Sequence, residues 1–508
     1  MLFREVTEKA ASNWGDQQAI ITETGSMSYN QLDILANKTA QILLTQGIRS
    51  GDKMAFLFPN CSEFFFTYFG IAKAGCAGVP LNTRLTSSEI GFILKHSGAK
   101  GCVFDSMFSD QLEPLMAELP SDFKFIQSGG QIQGNIISLE EQLKSASDMS
   151  PTTAFPDKEV MLFYTSGTTG DPKGAMIDIG STIRHSDEFQ GEMYEISQGD
   201  RVYISTPLFH ISAAYLSASF IMTGVPIYIT REWNMDRVLK LIQDSGITFM
   251  WAVPTMMALL LKSPQFKDYN LSPLKQAFIG GSALSIEIIK AWKEAYPNLK
   301  IHNGYAQTET GCQGSILKDE YILEKANSIG VPFPGIEMKI TDDDCNELPR
   351  GEIGEIAIKS PITMLGYFKN PELTEKTLKE EWCLSGDKGY QDKEGFFYYS
   401  GRKKDMIIRG GENIFPDEID AIVNQHPKVM ESTAFGVSDP IMGEEVLTLV
   451  VLVPGEEMEF DELRSHCEKS LADYKIPKYM KIINEIPKTS TMKVNKKVLR
   501  EQFSERPR

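Results

Sequence analysis

Between residues 165 and 175 the chain reads Thr-Ser-Gly-Thr-Thr-Gly-Asp-Pro-Lys-Gly-Ala, directly after the apolar run Met161–Tyr164. Gly167 and Gly170 let backbone N–H groups turn into a concavity, while Thr165, Ser166, Thr168 and Thr169 add hydroxyl donors and Lys173 a cation. Such a loop can wrap an oligophosphate. It is not the Walker sequence, because Gly167 and Lys173 do not fit G-x-x-x-x-G-K-[ST]. Other chemistry-bearing residues show no comparable pattern. His96, His185, His302, His426 and His466 lack metal-ligand spacing, and the seven cysteines never form a CxxC pair. Neither a zinc site nor a disulfide framework is expected, and reduced thiols suit a cytoplasmic protein.

Taken letter by letter, the loop resembles the phosphate loop of the adenylate-forming superfamily. That superfamily unites acyl-CoA synthetases, non-ribosomal peptide synthetase adenylation domains and firefly luciferase, and this chain looks closest to the fatty- or aryl-acid CoA ligases. Further strings resemble its motifs in order. Gly280-Gly281-Ser282-Ala283-Leu284 is similar to a glycine-rich strand end beside adenine and the acyl pocket. Asn303-Gly304-Tyr305-Ala306-Gln307-Thr308-Glu309 resembles the adenine and magnesium segment. The resemblance implies that Tyr305 lies against adenine, that Thr308 contacts the α-phosphate and that Glu309 holds Mg²⁺; a hard cation does want carboxylate oxygen. Ser385-Gly386-Asp387 and Gly401-Arg402 look like the ribose motifs, with Asp387 accepting from the ribose hydroxyls and Arg402 donating to ribose or phosphate.

The same resemblance implies a moving part. Lys404 stands at the hinge position, and Gly410, Gly411 and Glu412 stand in the loop that swings in to line the CoA tunnel. Lys493, in Pro487–Asn495, aligns with the catalytic lysine, although Met492 stands where most members have glycine. His210 occupies a gate position at the acyl pocket, for which Trp251, Met256, Gly280, Ala306 and Cys312 are further candidates. The implied cofactors are ATP, Mg²⁺ and coenzyme A. The implied reaction joins a carboxylate to the α-phosphate of ATP, releases pyrophosphate, and passes the acyl group to a thiol.

These residues need elements to hold them. Strand and helix periods alternate from Tyr29 onward, with apolar strands at Lys53–Phe58, Ala77–Pro80 and Lys100–Asp105 and helices between them, one of them capped by Ser62. The theme resumes after residue 156, with strands at Val160–Tyr164, Val202–Ser205, Val225–Thr230, Thr248–Ala252, Gln276–Ile279 and Lys300–His302. This order predicts an α/β fold in which a large N-terminal domain carries two helix-flanked, mainly parallel sheets. Short strands from Ile336 predict a small β-rich subdomain, and Pro416 at a first helical position opens a small mobile α+β C-terminal domain. The boundary is expected at residues 401/402, giving domains 1–401 and 402–508.

With 508 residues, 42% of them hydrophobic, the chain exceeds one core and excludes a disordered protein. The net charge of −17 argues against nucleic acid as a partner. Residues 475–508 reverse the sign, with ten Lys/Arg against three Glu, and could meet phosphates. No targeting segment is expected, nor a transmembrane one, since Phe64–Leu81 is broken by Lys73 and glycines and is short of a bilayer span. The expected partners are a small carboxylic acid, ATP and CoA, and a homodimer is the assembly considered. The alternative is a free-standing enzyme that loads a carrier-protein phosphopantetheine. The resemblance implies that an amino-acid adenylation domain would carry an acidic residue shortly after Pro207-Leu208-Phe209-His210 to hold the substrate ammonium; Ile211–Ile221 has none, which disfavours an amino acid.

Overall fold

The computed structural model of the chain describes residues 2–152, 155–165, 172–282, 284–488 and 494–503. The chain divides into two units, one of residues 1–326, 332–337 and 359–383, the other of 327–331, 338–358 and 384–508.

The first unit contains two sheets. One runs in the order β19 (Gly366–Tyr367), β9 (Lys173–Asp178), β8 (Val160–Thr165), β4 (Ala77–Pro80), β3 (Lys53–Leu57), β5 (Gly101–Asp105), β6 (Lys124–Ser128) and β7 (Ile137–Ser138). Its strands are parallel from β8 to β7, and β9 and β19 close one side antiparallel. In β3 the four residues after Lys53, Met-Ala-Phe-Leu, are apolar and buried on both faces, as in a covered parallel sheet. The helix Ser87–Ser97 shows how local sequence sets such a cover. Thr86 and Glu89 exchange side-chain and backbone bonds as a capping box, Ile90, Ile93 and Leu94 enter the core at helical spacing, and Gly98 ends the helix at φ +69°.

The expected helix and strand across Phe64–Leu81 are Ser62–Lys73 and β4. Ser62 does not cap that helix; Cys61 holds the cap position, and its side chain makes no capping bond. Lys73 is nevertheless buried, its charge met by Asp33 at 2.9 Å.

The second sheet contributes to this unit the order β15 (Ser315–Leu317), β14 (Lys300–Tyr305), β13 (Gln276–Gly280), β12 (Phe249–Ala252), β10 (Val202–Ile204), β11 (Ile227–Tyr228), β1 (Gln18–Thr22) and β2 (Gly25–Ser28). Pairing is parallel from β14 to β1, with β15 and β2 antiparallel at the two sides. The carboxyl ends of β10, β12, β13 and β14 therefore share one edge. Nearby, β20 (Leu378–Lys379) forms a short hairpin with the start of β21 (Trp382–Gln391).

The second unit begins as a β-rich piece in which β17 (Glu337–Thr341), β18 (Gly354–Lys359), β21, β22 (Phe397–Arg402) and β16 (Ser328–Pro332) stand in that order. Its later half is a sheet of β24 (Glu412–Ile414), β23 (Ile407–Arg409), β26 (Gly443–Leu452) and β25 (Val429–Asp439), with β27 (Tyr479–Ile482) parallel on β26. Strand β26 is apolar on both faces. Val446 and Val450 pack with Ile419 and Leu463 of the helices Pro416–Val423 and Phe460–Cys467, whereas Leu447, Leu449 and Val451 pack with Leu499 of the helix Lys496–Gln502.

Candidate active site

In an open parallel sheet, ligands settle outside the carboxyl ends of the strands. Four of the sequence candidates' segments leave that edge of the second sheet: Ser205–His210 after β10, Trp251–Val253 at β12, Gly280–Ser282 at β13 and Tyr305–Glu309 at β14. Gly280 and Gly304 are register partners. A Cβ on Gly280 would stand 3.2 Å from the Gly304 carbonyl and 3.3 Å from the Trp251 ring, a tight fit, and one on Gly304 would stand 2.6 Å from Phe278, which would have to move. Gly281 turns the chain at φ +93°. Asn303 is buried, and its Oδ1 has no hydrogen-bond partner.

Beyond β14 the chain makes the 3₁₀ turn Thr308–Thr310, ended by Gly311 at φ +66°. A Cβ on Gly311 would lie 2.5 Å from the Ile362 carbonyl. That contact belongs to a segment fixing Glu309 from outside: the Met364 N–H donates to the Glu309 carbonyl at 2.8 Å, and the Tyr367 hydroxyl donates to its Oε1 at 2.7 Å. Burial, then the Glu309 charge, raises the Tyr367 hydroxyl, which stays protonated as a donor. Tyr367 carries no sequence signal, since 58 residues separate it from its partner.

Glu309 can be tested as a cation ligand. One of its carboxylate oxygens holds Tyr367, and among the described residues no group of three His, Cys, Asp or Glu could cage a metal. A cation here would take one carboxylate from the protein and complete its shell with phosphate oxygens and water, which is the habit of Mg²⁺. The donor set fits.

In the other sheet of this unit, Thr165 and Lys173 are register partners on β8 and β9, so the two ends of the phosphate-loop string stand side by side. Ser166, Gly167, Thr168, Thr169, Ala283 and Lys493 lie outside the described residues. His210 sits at the start of the helix Ile211–Thr223 with its ring 4.5 Å from Phe209. Trp251 stacks on Phe278 at 5.0 Å, and Met256 Sδ is 3.1 Å from the Ser205 hydroxyl. Ala306 and Cys312 are half-buried, and Cys312 takes φ +63°.

The remaining candidates belong to the second unit. Asp387 and Arg402 are register partners on β21 and β22, with Arg402 Nε 3.1 Å from Asp387 Oδ1. Asp387 is almost wholly buried while Arg402 stays half-exposed. Lys404 is exposed in the turn Lys403–Asp405, whose Lys403 pairs with Asp343 at 2.7 Å. Gly410 and Gly411, at φ +59° and +93°, form the two-residue turn that returns β23 into β24, leaving both and Glu412 exposed.

A parallel sheet whose carboxyl edge carries a glycine-lined slot, an unpartnered amide acceptor and a magnesium-suited carboxylate defines a nucleotide-binding enzyme. The chain matches the family model "AMP-binding enzyme" over residues 7–368 and "AMP-binding enzyme C-terminal domain" over 418–493, and so belongs to this adenylate-forming family. It is 32% identical over 479 residues, 94% of this chain and 93% of the other, to the long-chain-fatty-acid–CoA ligase FadD13 of Mycobacterium tuberculosis (strain ATCC 25618 / H37Rv). Among solved structures it is similar to the anthranilate CoA ligase AuaEII in complex with anthranoyl-AMP, with a TM-score of 0.91 at 25% identity over 99% of this chain and 97% of that one. The o-succinylbenzoate CoA synthetase MenE of Bacillus subtilis in complex with ATP and magnesium ion gives a TM-score of 0.86 at 28% identity, covering 99% of both chains.

Proposed function

We propose that the protein is an ATP-dependent acid–thiol ligase that adenylates a fatty, alicyclic or aryl carboxylic acid and transfers the acyl group to coenzyme A. The observation that carries this is the joint placement of Asn303, Gly280–Ser282, Thr308 and Glu309 on one sheet edge, in a chain of the AMP-binding family.

A carboxylate is a poor acyl donor because its leaving group would be oxide. Adenylation replaces that group with AMP, and the work is mainly positioning and charge neutralisation. Asn303 Oδ1 accepts from the adenine amine, and Tyr305 lies along the ring. Asp387 and Arg402 take the ribose. Thr308 donates to the α-phosphate, the loop Thr165–Lys173 holds the departing pyrophosphate, and Lys493 bridges the attacking carboxylate and the α-phosphate. Glu309 would hold Mg²⁺, which would supply positive charge against the phosphates. For the second step the segment beyond the hinge at Lys404 rotates, withdrawing Lys493 and presenting Gly410–Glu412 to the incoming thiol. We place domains 1–401 and 402–508 on either side of that hinge, with His210, Trp251, Met256, Gly280, Ala306 and Cys312 around the acid.

Among the described residues no helix is long and apolar enough to cross a membrane, and no cysteine forms a disulfide. We place the enzyme in the cytoplasm as a homodimer with small-molecule partners and no nucleic acid, the oligomer to be checked by light scattering. The function is tested by pyrophosphate release over a panel of carboxylic acids with and without CoA, followed by mass analysis of the thioester. CoA-dependent AMP and acyl-CoA are expected. Acylation of a carrier protein with no acyl-CoA would replace CoA as the acceptor.

A further inference from the structure

Four residues past Glu309 lies Gln313, wholly buried, and neither its Nε2 nor its Oε1 makes a hydrogen bond of ordinary geometry. A buried amide with no partner is among the costlier features a core can keep, and it is retained where something else supplies the missing bonds. Its surroundings are also polar. The Tyr194 and Tyr215 hydroxyls are hydrogen-bonded to each other at 2.9 Å in full burial, which pushes the Tyr215 hydroxyl well up, while a hydrogen bond with the Gln313 amide, outside ordinary geometry, pulls weakly the other way. A pair of hydroxyls uses one proton internally and leaves the second to donate elsewhere. Gln313 adds two N–H donors and an acceptor.

The cluster adjoins the edge where the reaction is placed. Tyr194 packs on Phe278 with ring centres 5.3 Å apart, Phe278 stacks on Trp251, and Trp251 flanks Gly280. Tyr215 lies one turn into the helix that starts after His210. The Cys312 N–H donates to the Gln307 carbonyl at 2.9 Å, folding the chain back so that Gln313 follows directly on the Thr308–Glu309 turn. An acid joined to the α-phosphate at Thr308 must extend from that point into the protein.

Resting on the ligase function proposed above, we propose that Gln313 and the Tyr194–Tyr215 pair form a polar end to the acid site, which selects carboxylic acids bearing an oxygen hydrogen-bonding group remote from the carboxyl. The amide donates to that oxygen, and the free tyrosine proton or the amide carbonyl meets a hydroxyl.

The test uses matched acids, 12-hydroxydodecanoic against dodecanoic and 4-hydroxycinnamic against cinnamic, in pyrophosphate release by the full-length enzyme. A site built to pair a polar group rejects the analogue lacking it strongly, so the oxygenated member of one pair is expected to lead in kcat/KM by about tenfold or more. Gln313→Met, close in shape, is expected to abolish that lead through KM for the oxygenated acid, to leave the plain acid within about threefold, and to melt no lower than the parent because an unpaired buried amide is gone. Tyr215→Phe is expected to reduce the lead in the same direction. Equal losses for both members of a pair in either variant, or no lead in the parent, overturn the inference while leaving the ligase standing. Absence of pyrophosphate release with every acid of a broad panel overturns the ligase function and this inference with it.

Discussion

Tyr367 and Met364 aim Glu309 from a single distant segment, one through the carboxylate and the other through the backbone carbonyl. Partners that orient a metal-bearing carboxylate commonly contribute about 10- to 100-fold to metal affinity or activity. Tyr367→Phe is therefore expected to raise the Mg²⁺ concentration for half-maximal pyrophosphate release by about that factor, with KM for the acid unchanged. An unaltered Mg²⁺ titration would reduce Tyr367 to packing. For Lys493 the expectation separates the half-reactions: Lys493→Ala abolishes adenylate formation but leaves thioester formation from supplied acyl-adenylate largely intact. Equal loss of both would sink that division of labour. Glu309 and Lys493 are nominated by the sequence because each lies inside a contiguous string. Tyr367 and Gln313 are not, because a hydrogen bond across 58 residues and an unpaired buried amide leave no mark on spacing or composition.

At the scale of elements, the hinge candidate Lys404 lies between β22 and the helix Pro416–Val423, which already touch. The Tyr399 hydroxyl donates to Asp417 at 2.7 Å, and Phe415 sits where a Cβ on Gly401 would come within 2.9 Å. Burial, then the Asp417 charge, raises the Tyr399 hydroxyl, keeping it a donor. Rotation about Lys404 must break this bond or be restrained by it. A hydrogen bond to a charged group contributes about 1.5–3 kcal/mol, enough to bias a conformational balance by about 10- to 100-fold. Tyr399→Phe should thus change the rates of adenylate and thioester formation unequally, measured in separate single-turnover reactions; identical changes would show that the bond does not restrain the hinge. Alternating strand and helix periods carried most of this level. Pro416 starts its helix as its fixed φ dictates, whereas Ser62 fails as a cap because the helix begins one residue earlier in the capping frame. The strand predicted to stop at His302 runs on to Tyr305, since Gly304 pairs in register with Gly280 although glycine has no strand propensity of its own.

For the molecule as a whole, charge placement matters more than its sum of −17. Within the basic segment 475–508, Lys475 pairs with Glu418, Lys478 with Glu445, Lys488 with Glu431, Lys496 with Asp417 and Arg500 with Asp405. Those cations neutralise acids of their own unit. Lys496 lies deep among Asp405, Asp417 and Asp420, whose attraction raises it against the opposing effect of burial. Stability against acid has a separate, readable contributor in the first unit. Burial pushes His302 down from 6.5 to about 4, outweighing Asp319 and Glu195 nearby, while Lys300 and Lys318 add to the depression. Its Nδ1 accepts the Asp319 N–H at 3.3 Å, so the neutral ring is the form the fold uses. Between pH 6.5 and about 4 the unfolded chain binds a proton at this residue that the folded one does not, so stability falls as pH drops through that window and levels below it. The full difference is up to about 3 kcal/mol. His302→Asn cannot titrate there, and its urea midpoint for the first unit should lose correspondingly less than the parent's between pH 7 and pH 4. Parallel declines in parent and variant would place the acid sensitivity elsewhere.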